Sequence, residues 1–153
     1  MRYLNNEKYK NREGYLAYVE YCKSIWKVMP MGIKQICKGM LPNEFDSNIR
    51  YDLHDGRISK MEIDVDTIDI TYLLFDEEDK KHILKGTYKD AKFLNKPSHN
   101  FIDNDFNRRC DIMCNEIIYV ENGIFRHSIL YPSGEELIIE FTSFELDVLY
   151  TEE

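Results

Sequence analysis

The spacing of the apolar residues changes once along this chain, near Asp52, and this change constrains the fold more than any other feature of the sequence. Before Asp52 the apolar residues recur every three to four positions, which is the spacing of an amphipathic helix. After Asp52 they alternate with polar residues, as in a strand that buries one face. Helices followed by a run of strands are typical of α+β proteins and argue against repeated strand–helix–strand units.

Two helices are predicted in the first part of the chain. The apolar residues of segment 15–29 fall on one helical face, and Pro30 interrupts the pattern. A shorter pattern covers residues 33–41 and ends before Pro42. We expect both helices to pack on a sheet, because the basic residues around them are too few for DNA recognition and burial explains their apolar faces.

The strand region contains two hairpin signals and one irregularity. The parity of the alternation changes at Asp66-Thr67, which predicts a two-residue loop with Val65 opposite Ile68. Asn122-Gly123 lies between two β-like runs and predicts a second hairpin. A further change of parity near Thr142-Ser143 predicts a bulge in the last strand.

Together these patterns predict an α+β fold in which an N-terminal helical pair packs on a twisted, mainly antiparallel sheet of about six strands. The chain of 153 residues fits one domain, with a helical part over 1–48 and a β-rich part over 49–153. Segment 95–107 is a long polar connection whose order the sequence does not determine. The four cysteines lie among apolar neighbours, so we expect buried free thiols rather than disulfides.

The location follows from what the sequence lacks. No apolar run approaches the ~18–20 residues of a membrane-spanning helix, and the first residues have no secretory apolar stretch. We therefore expect a cytoplasmic protein that does not enter a membrane. The oligomeric state cannot be inferred from the sequence.

Charge is distributed unevenly along the chain. Residues 1–60 carry eleven Lys/Arg and seven acids, residues 61–126 carry nine and fourteen, and residues 127–153 carry none and seven. An acidic surface repels phosphate, so nucleic acid is not an expected partner. A basic protein is the natural complement of an acidic sheet face, and the acids predicted to contact it are Glu62, Asp64, Asp66, Asp69, Glu135, Glu136 and Glu140.

Leu53-His54-Asp55 lies where the helical part meets the first strand and is the candidate catalytic segment. His54 could act as a general base oriented by Asp55 or Asp52. Adjacent strand residues point to opposite faces, however, so the sequence alone does not make a His–Asp pair. The alternative is a structural role in which these side chains bond to the backbone where the chain enters the sheet.

Cys110, Cys114 and His127 are the candidate metal ligands. On a helix, which Phe106, Cys110, Met113 and Cys114 would share, the two thiols would lie close together; on a strand they would be ~13 Å apart. A fourth ligand is missing, so core packing is the preferred interpretation and no metal or other cofactor is predicted.

The order of three segments resembles a known family. Leu41-Pro42, then Leu53-His54-Asp55, and then the strand Glu136-Leu137-Ile138-Ile139-Glu140-Phe141 resemble a family of uncharacterised bacterial proteins, a domain of unknown function in which a Leu-His-Asp segment joins a helical part to a β-rich part. The chain is also similar, more loosely, to small acidic immunity proteins that neutralise polymorphic toxins. That likeness implies a stoichiometric inhibitor with an acidic patch and brings no catalytic residues.

Nucleophile motifs, phosphate-binding glycine loops and dinucleotide fingerprints are absent from the sequence. The function expected is therefore non-catalytic binding of a basic protein partner by an acidic sheet face, and an enzyme is not favoured. Two alternatives stay open. One is a hydrolase or metal-dependent enzyme centred on His54 and Asp55, and the other is a domain that binds a small ligand between the helices and the sheet.

Overall fold

The computed structural model describes residues 1–4, 12–41, 45–103, 105 and 107–153. These residues form two α-helices, α1 (Arg12–Ile25) and α2 (Met31–Gln35). The eight strands are β1 (Arg57–Ile63), β2 (Thr67–Phe75), β3 (Lys81–Lys89), β4 (Lys92–Asn95), β5 (Cys114–Glu121), β6 (Ile124–Leu130), β7 (Glu136–Phe141) and β8 (Ser143–Thr151). Helices that precede a set of antiparallel strands confirm the predicted α+β class.

The strands form two four-stranded antiparallel sheets rather than the predicted single sheet of about six. The first sheet has the order β1-β2-β3-β8 and the second has the order β4-β7-β6-β5. The chain passes between the sheets twice, at Asp90-Ala91 from β3 to β4 and at Thr142 from β7 to β8. The prediction was wrong because alternation alone does not show where a strand bends. Segments 81–95 and 136–151 each bend, and each contributes one strand to each sheet.

The two bends are bonded to each other. Asp90 has a positive φ of 50°, Thr142 N–H donates to Lys89 O at 3.0 Å, and Thr142 Oγ1 lies 2.6 Å from Asp90 Oδ2. The parity change that predicted a bulge near Thr142-Ser143 is therefore the point where one sheet ends and the other begins.

The first hairpin has a different register from the predicted one. Ile63, rather than Val65, lies opposite Ile68, and Asp64 N–H closes the turn on Thr67 O at 2.9 Å. Val65 is thus in the turn, where its side chain is 97% exposed. The Asn122-Gly123 hairpin is confirmed, since both residues have positive φ, 49° and 78°, as a two-residue turn of this type requires.

Both helices end earlier than predicted. α1 ends at Ile25, and α2 has five residues because Cys37 forms a β-bridge to Asp52 instead of continuing the helix. α2 packs on β8, where a Cβ added to Gly32 would lie 2.8 Å from Phe144 Cδ1. No helix within the described ranges has the length and apolar character needed to cross a membrane.

The core lies between the two sheets and beneath the helices. Tyr88 on β3 contacts Phe141 on β7 and Phe144 on β8, with ring centroids 5.1 Å and 4.7 Å apart. The buried apolar residues of the helices and of both sheets form one cluster. All four cysteines are buried and free, as predicted.

Candidate functional site

The segment that carries His54 is fixed on both sides by backbone hydrogen bonds. Toward the helices, Tyr51 N–H donates to Gln35 O at 2.8 Å. Toward the sheets, Asp55 N–H donates to Ile112 O, and Ile112 N–H donates to Gly56 O, both at 2.8 Å. This segment is therefore held at a defined position between the helices and the sheets.

Asp52 is packed against a glycine that cannot be replaced without displacing it. A Cβ added to Gly39 would lie 2.2 Å from Asp52 Oδ2, and Gly39 has a φ of 82°. Asp52 Oδ1 accepts the His54 N–H at 2.9 Å. Burial raises the pKa of Asp52, because the charged form loses hydration.

His54 is held in one tautomer by its neighbours. Its Nδ1 lies 2.6 Å from Met113 O, and since a carbonyl only accepts, Nδ1 carries the hydrogen. Nε2 lies 3.5 Å from Asp55 Oδ2. The His–Asp proximity that strand geometry would forbid arises because Asp55 has a φ of 60° and lies in a turn.

Two adjoining cavities meet at His54 and Asp52, which line both of them. The first, of about 200 Å³, lies between the helical part and β5 and is bordered by Tyr15 and Asn115. The second, of about 440 Å³, is bordered by residues of the β2–β3 turn. We call the two cavities together the His54 cleft; its polar walls are Lys38, Arg50, Asp52, His54, Asp55, Asp76, Glu77, Asp79, His82 and Asn115.

A second histidine faces the cleft from the first sheet. His82 Nε2 lies 3.0 Å from Asp76 Oδ2, and its ring packs edge-on against Tyr51 at 5.7 Å. Hydrogen bonds from His82 and from the backbone N–H groups of Lys80 and Glu78 lower the pKa of Asp76 to about 2. The sequence analysis did not select His82, which reaches Asp76 because β2 and β3 form a hairpin.

The three candidate metal ligands do not come together in the structure. Cys114 begins β5 instead of ending a helix, and only Arg108–Cys110 forms a 3-10 turn. His127 lies opposite Ile117, three residues along β5 from Cys114, which is ~10 Å along the strand. Phe106 lies outside the described residues, and within those residues no group of three His, Cys, Asp or Glu side chains is arranged to hold a metal ion.

His127 instead belongs to a buried chain of hydrogen bonds. Tyr72 and Tyr88 hydroxyls are 2.6 Å apart, Tyr88 OH lies 2.7 Å from His127 Nδ1, and His127 Nε2 lies 3.0 Å from Asn115 Oδ1. Burial lowers the pKa of His127 to about 3. Asn115 is the last residue in this series of hydrogen bonds, and it is also part of the wall of the His54 cleft.

The seven acids predicted to contact a partner do not lie on one face. Glu62 and Asp69 are on the first sheet, Asp64 and Asp66 are in the β1–β2 turn, and Glu135, Glu136 and Glu140 lie in or next to β7 of the second.

Five of the seven have a cationic or histidine neighbour. These contacts are Lys60 with Glu62, Lys85 with Asp69, His99 with Glu135, the Met1 amino group with Glu136, and Arg126 with Glu140. Hydrogen bonds from Ser98 and His99 lower the pKa of Glu135 to about 2. The sheet acids are thus scattered over both sheets and partly compensated, whereas the acids of the cleft border one concave site.

Compared with protein-family models, with curated proteins and with solved structures, the chain matches none. The resemblance drawn from the Leu-His-Asp segment therefore stays a prediction.

Proposed function

We propose that this protein is a non-catalytic binding protein that receives a basic side chain of a protein partner in the His54 cleft. The observation that carries the proposal is the convergence of carboxylates from two parts of the chain on one concave site. Asp52 and Asp55 flank His54, and Asp76 comes from the β2–β3 turn. A concave site with a few convergent polar groups is the usual form of a binding site.

The charges in the cleft favour a cation. Asp52, Asp55, Asp76, Glu77 and Asp79 line its larger cavity together with two basic residues, Lys38 and Arg50. Lys38 Nζ lies 3.3 Å from Glu77 Oε1, so one of those positive charges is already paired. A guanidinium or ammonium group fits the remaining carboxylates, and a planar guanidinium can bond to a carboxylate through two parallel N–H groups.

The cleft replaces the sheet face as the proposed contact surface, but the class of partner is the one expected from the sequence. The overall acidity of the chain favours encounter with a basic protein and disfavours nucleic acid. We also propose that the protein is bacterial, cytoplasmic and similar to immunity proteins, because a basic protein partner is what that similarity implies.

The proposal is tested with a single basic group as the probe. We would titrate the ¹⁵N-labelled protein with N-acetyl-arginine amide and follow backbone shifts by NMR. Saturable shifts are expected at Asp52, His54 and Asp55, and a much weaker response to the neutral N-acetyl-citrulline amide. Affinity should fall as the pH is lowered through the raised pKa of Asp52, because the neutral acid no longer attracts the cation.

Matched variants distinguish binding in the cleft from nonspecific attraction of a cation to an acidic protein. Asp52→Asn keeps an oxygen that can accept the His54 N–H but removes the charge, and should weaken arginine binding about tenfold. Glu62→Gln removes an exposed carboxylate on β1 and should leave binding unchanged. Equal binding of the citrulline derivative, or an equal loss in both variants, would contradict the proposal.

A hydrolase is the second candidate, and the tautomer of His54 favours it. With Nδ1–H bonded to Met113 O, Nε2 is the atom available to take a proton from a water molecule in the cleft. Asp52, whose pKa is raised by burial, would be the accompanying acid. Hydrolysis of a panel of carboxylic and phosphate esters that is abolished in His54→Gln would establish this activity; equal rates in both proteins would exclude it for those esters.

A further inference from the structure

The outer edge of β8 is the second surface of this molecule that has the form of a binding site. β8 is the last strand of the first sheet and has β3 as its neighbour; on the other side, the described residues provide no strand. Residues 147–153 are all exposed, and the apolar side chains of Val148, Leu149 and Tyr150 are 51%, 56% and 48% exposed. An open strand edge with apolar side chains is a template for pairing with another chain.

The helix α2 covers the first half of β8 only. Gly32 fits so closely against it that an added Cβ would lie 3.2 Å from Leu146 N and 2.8 Å from Phe144 Cδ1. Phe144 is buried and Leu146 is half-buried, whereas every residue from Asp147 onward is exposed. We call residues 147–151 the β8 edge.

The charge around the β8 edge selects the partner. Residues 143–153, which include β8, contain four acids and no Lys or Arg. Glu145 is paired with Lys89 at 2.7 Å. Asp147 lies within the β8 edge, opposite Lys85 of β3, and Glu152 lies just after it and accepts the Lys81 N–H at 2.9 Å. A second copy pairing here would bring these acids against one another, whereas a segment carrying Lys or Arg would be attracted.

We propose that the β8 edge binds an extended segment of a protein partner in which basic residues alternate with apolar ones. The segment adds a strand to the first sheet, so that backbone hydrogen bonds supply affinity. The acids of β8 and its apolar side chains supply the preference for sequence. The inference does not depend on the proposed function of the cleft.

The β8 edge nevertheless lies beside the His54 cleft. His82 Nδ1 is 3.4 Å from Thr151 Oγ1 at the end of β8, and His82 is also part of the cleft wall. A segment bound along β8 therefore ends next to the cleft. One partner could engage both surfaces, although each is tested separately.

The test uses two synthetic peptides, one alternating Lys with Val and the other alternating Glu with Val, added to the full chain. Fluorescence anisotropy of labelled peptides measures binding, and amide hydrogen exchange locates it. The Lys–Val peptide is expected to bind and to slow exchange of the amides of the β8 edge, and the Glu–Val peptide is expected not to bind. Equal binding of the two peptides, no binding of either, or protection elsewhere would overturn the proposal.

Two variants of β8 test whether the peptide binds at the β8 edge, and one variant outside β8 serves as the control. Val148→Lys adds a positive charge at an exposed position and should weaken Lys–Val binding about tenfold. Leu149 has no partner residue in β3, so Leu149→Pro fits a bulged edge and should block strand addition. Val65→Lys, the same change at an exposed turn residue, should have no effect.

The outcomes also separate the β8 edge from the cleft. A peptide whose binding is lost in Asp52→Asn but kept in Val148→Lys would overturn strand addition and leave the proposed function standing. Self-association of the purified protein that is abolished by Val148→Lys, seen by sedimentation, would show that a second copy occupies the edge and would equally overturn the proposal.

Discussion

Gly39 and Gly123 both have a positive φ, 82° and 78°, but only Gly39 lies against another side chain. The added Cβ at position 39 would lie within 3 Å of three atoms of the Asp52 carboxylate group, whereas position 123 has no heavy atom within 4 Å. Position 39 therefore needs glycine for two reasons, the positive φ and the space that the Asp52 carboxylate occupies. Position 123 needs glycine only for the positive φ of its turn.

Comparison of Gly39→Ala with Gly123→Ala should isolate this packing requirement. Both variants incur the cost of a non-glycine residue at positive φ, about 1 kcal/mol. Gly39→Ala should lose a further 1–3 kcal/mol, roughly, in the free energy of unfolding, because Asp52 must move. Urea unfolding measures both values, and equal losses in the two variants would contradict the argument.

At the level of the element, α1 acts as a cover for a strand edge. β5 is the last strand of the second sheet. Tyr18 OH accepts the Ile117 N–H, and Tyr21 OH accepts the Tyr119 N–H, both at 2.8 Å. Two tyrosines three residues apart on one helix thus satisfy two alternate amides of the open edge, which otherwise would be available for pairing.

Removal of these hydroxyls should expose the edge. Tyr18→Phe leaves the buried Ile117 N–H without its acceptor and should cost roughly 1–3 kcal/mol in unfolding free energy. Tyr21→Phe should cost less, since its bond is only partly buried. Urea unfolding and amide exchange at positions 117 and 119 check this, and a larger effect for Tyr21→Phe would contradict it.

At the level of the whole molecule, one hydrogen-bonded chain joins the two sheets through the core. Tyr72 and Tyr88 belong to the first sheet, and His127 and Asn115 belong to the second. Because Nε2 of His127 faces the Asn115 oxygen, Nδ1 accepts from Tyr88, and the imidazole is neutral. The apolar surroundings make protonation of this ring costly, so folding and the ionisation of His127 are coupled.

This coupling predicts a pH dependence of global stability. The pKa of His127 is about 3 in the folded protein and its ordinary value is 6.5, so between these values only the unfolded chain binds the proton. The free energy of unfolding should therefore fall as the pH is lowered below 6.5, by at most about 1.4 kcal/mol per pH unit from this residue.

The comparison of native protein with His127→Gln isolates the contribution of this histidine. The variant is less stable at pH 7 but should lose less stability between pH 6.5 and pH 4, because it has no imidazole to protonate. Urea unfolding at a series of pH values measures both slopes. Parallel curves would show that His127 does not bind a proton on unfolding.

The sequence by itself determined the class of structure, because apolar spacing depends only on the geometry of each helix or strand. It gave the order of helices and strands, the Asn122-Gly123 hairpin, the free buried cysteines and the irregularity at Thr142. It also selected His54 and Asp55 as neighbours worth testing. All of these are properties of residues close together in the chain.

The tertiary structure decided what depends on contacts between distant residues. The division into two sheets follows from paired bends at Asp90 and Thr142, and the His54 cleft follows from hydrogen bonds to Gln35 and Ile112. The lysine, arginine and histidine neighbours of the sheet acids likewise come mostly from other strands or turns. Local patterning carries no information about which distant partner a side chain meets, because that choice is made when the layers pack.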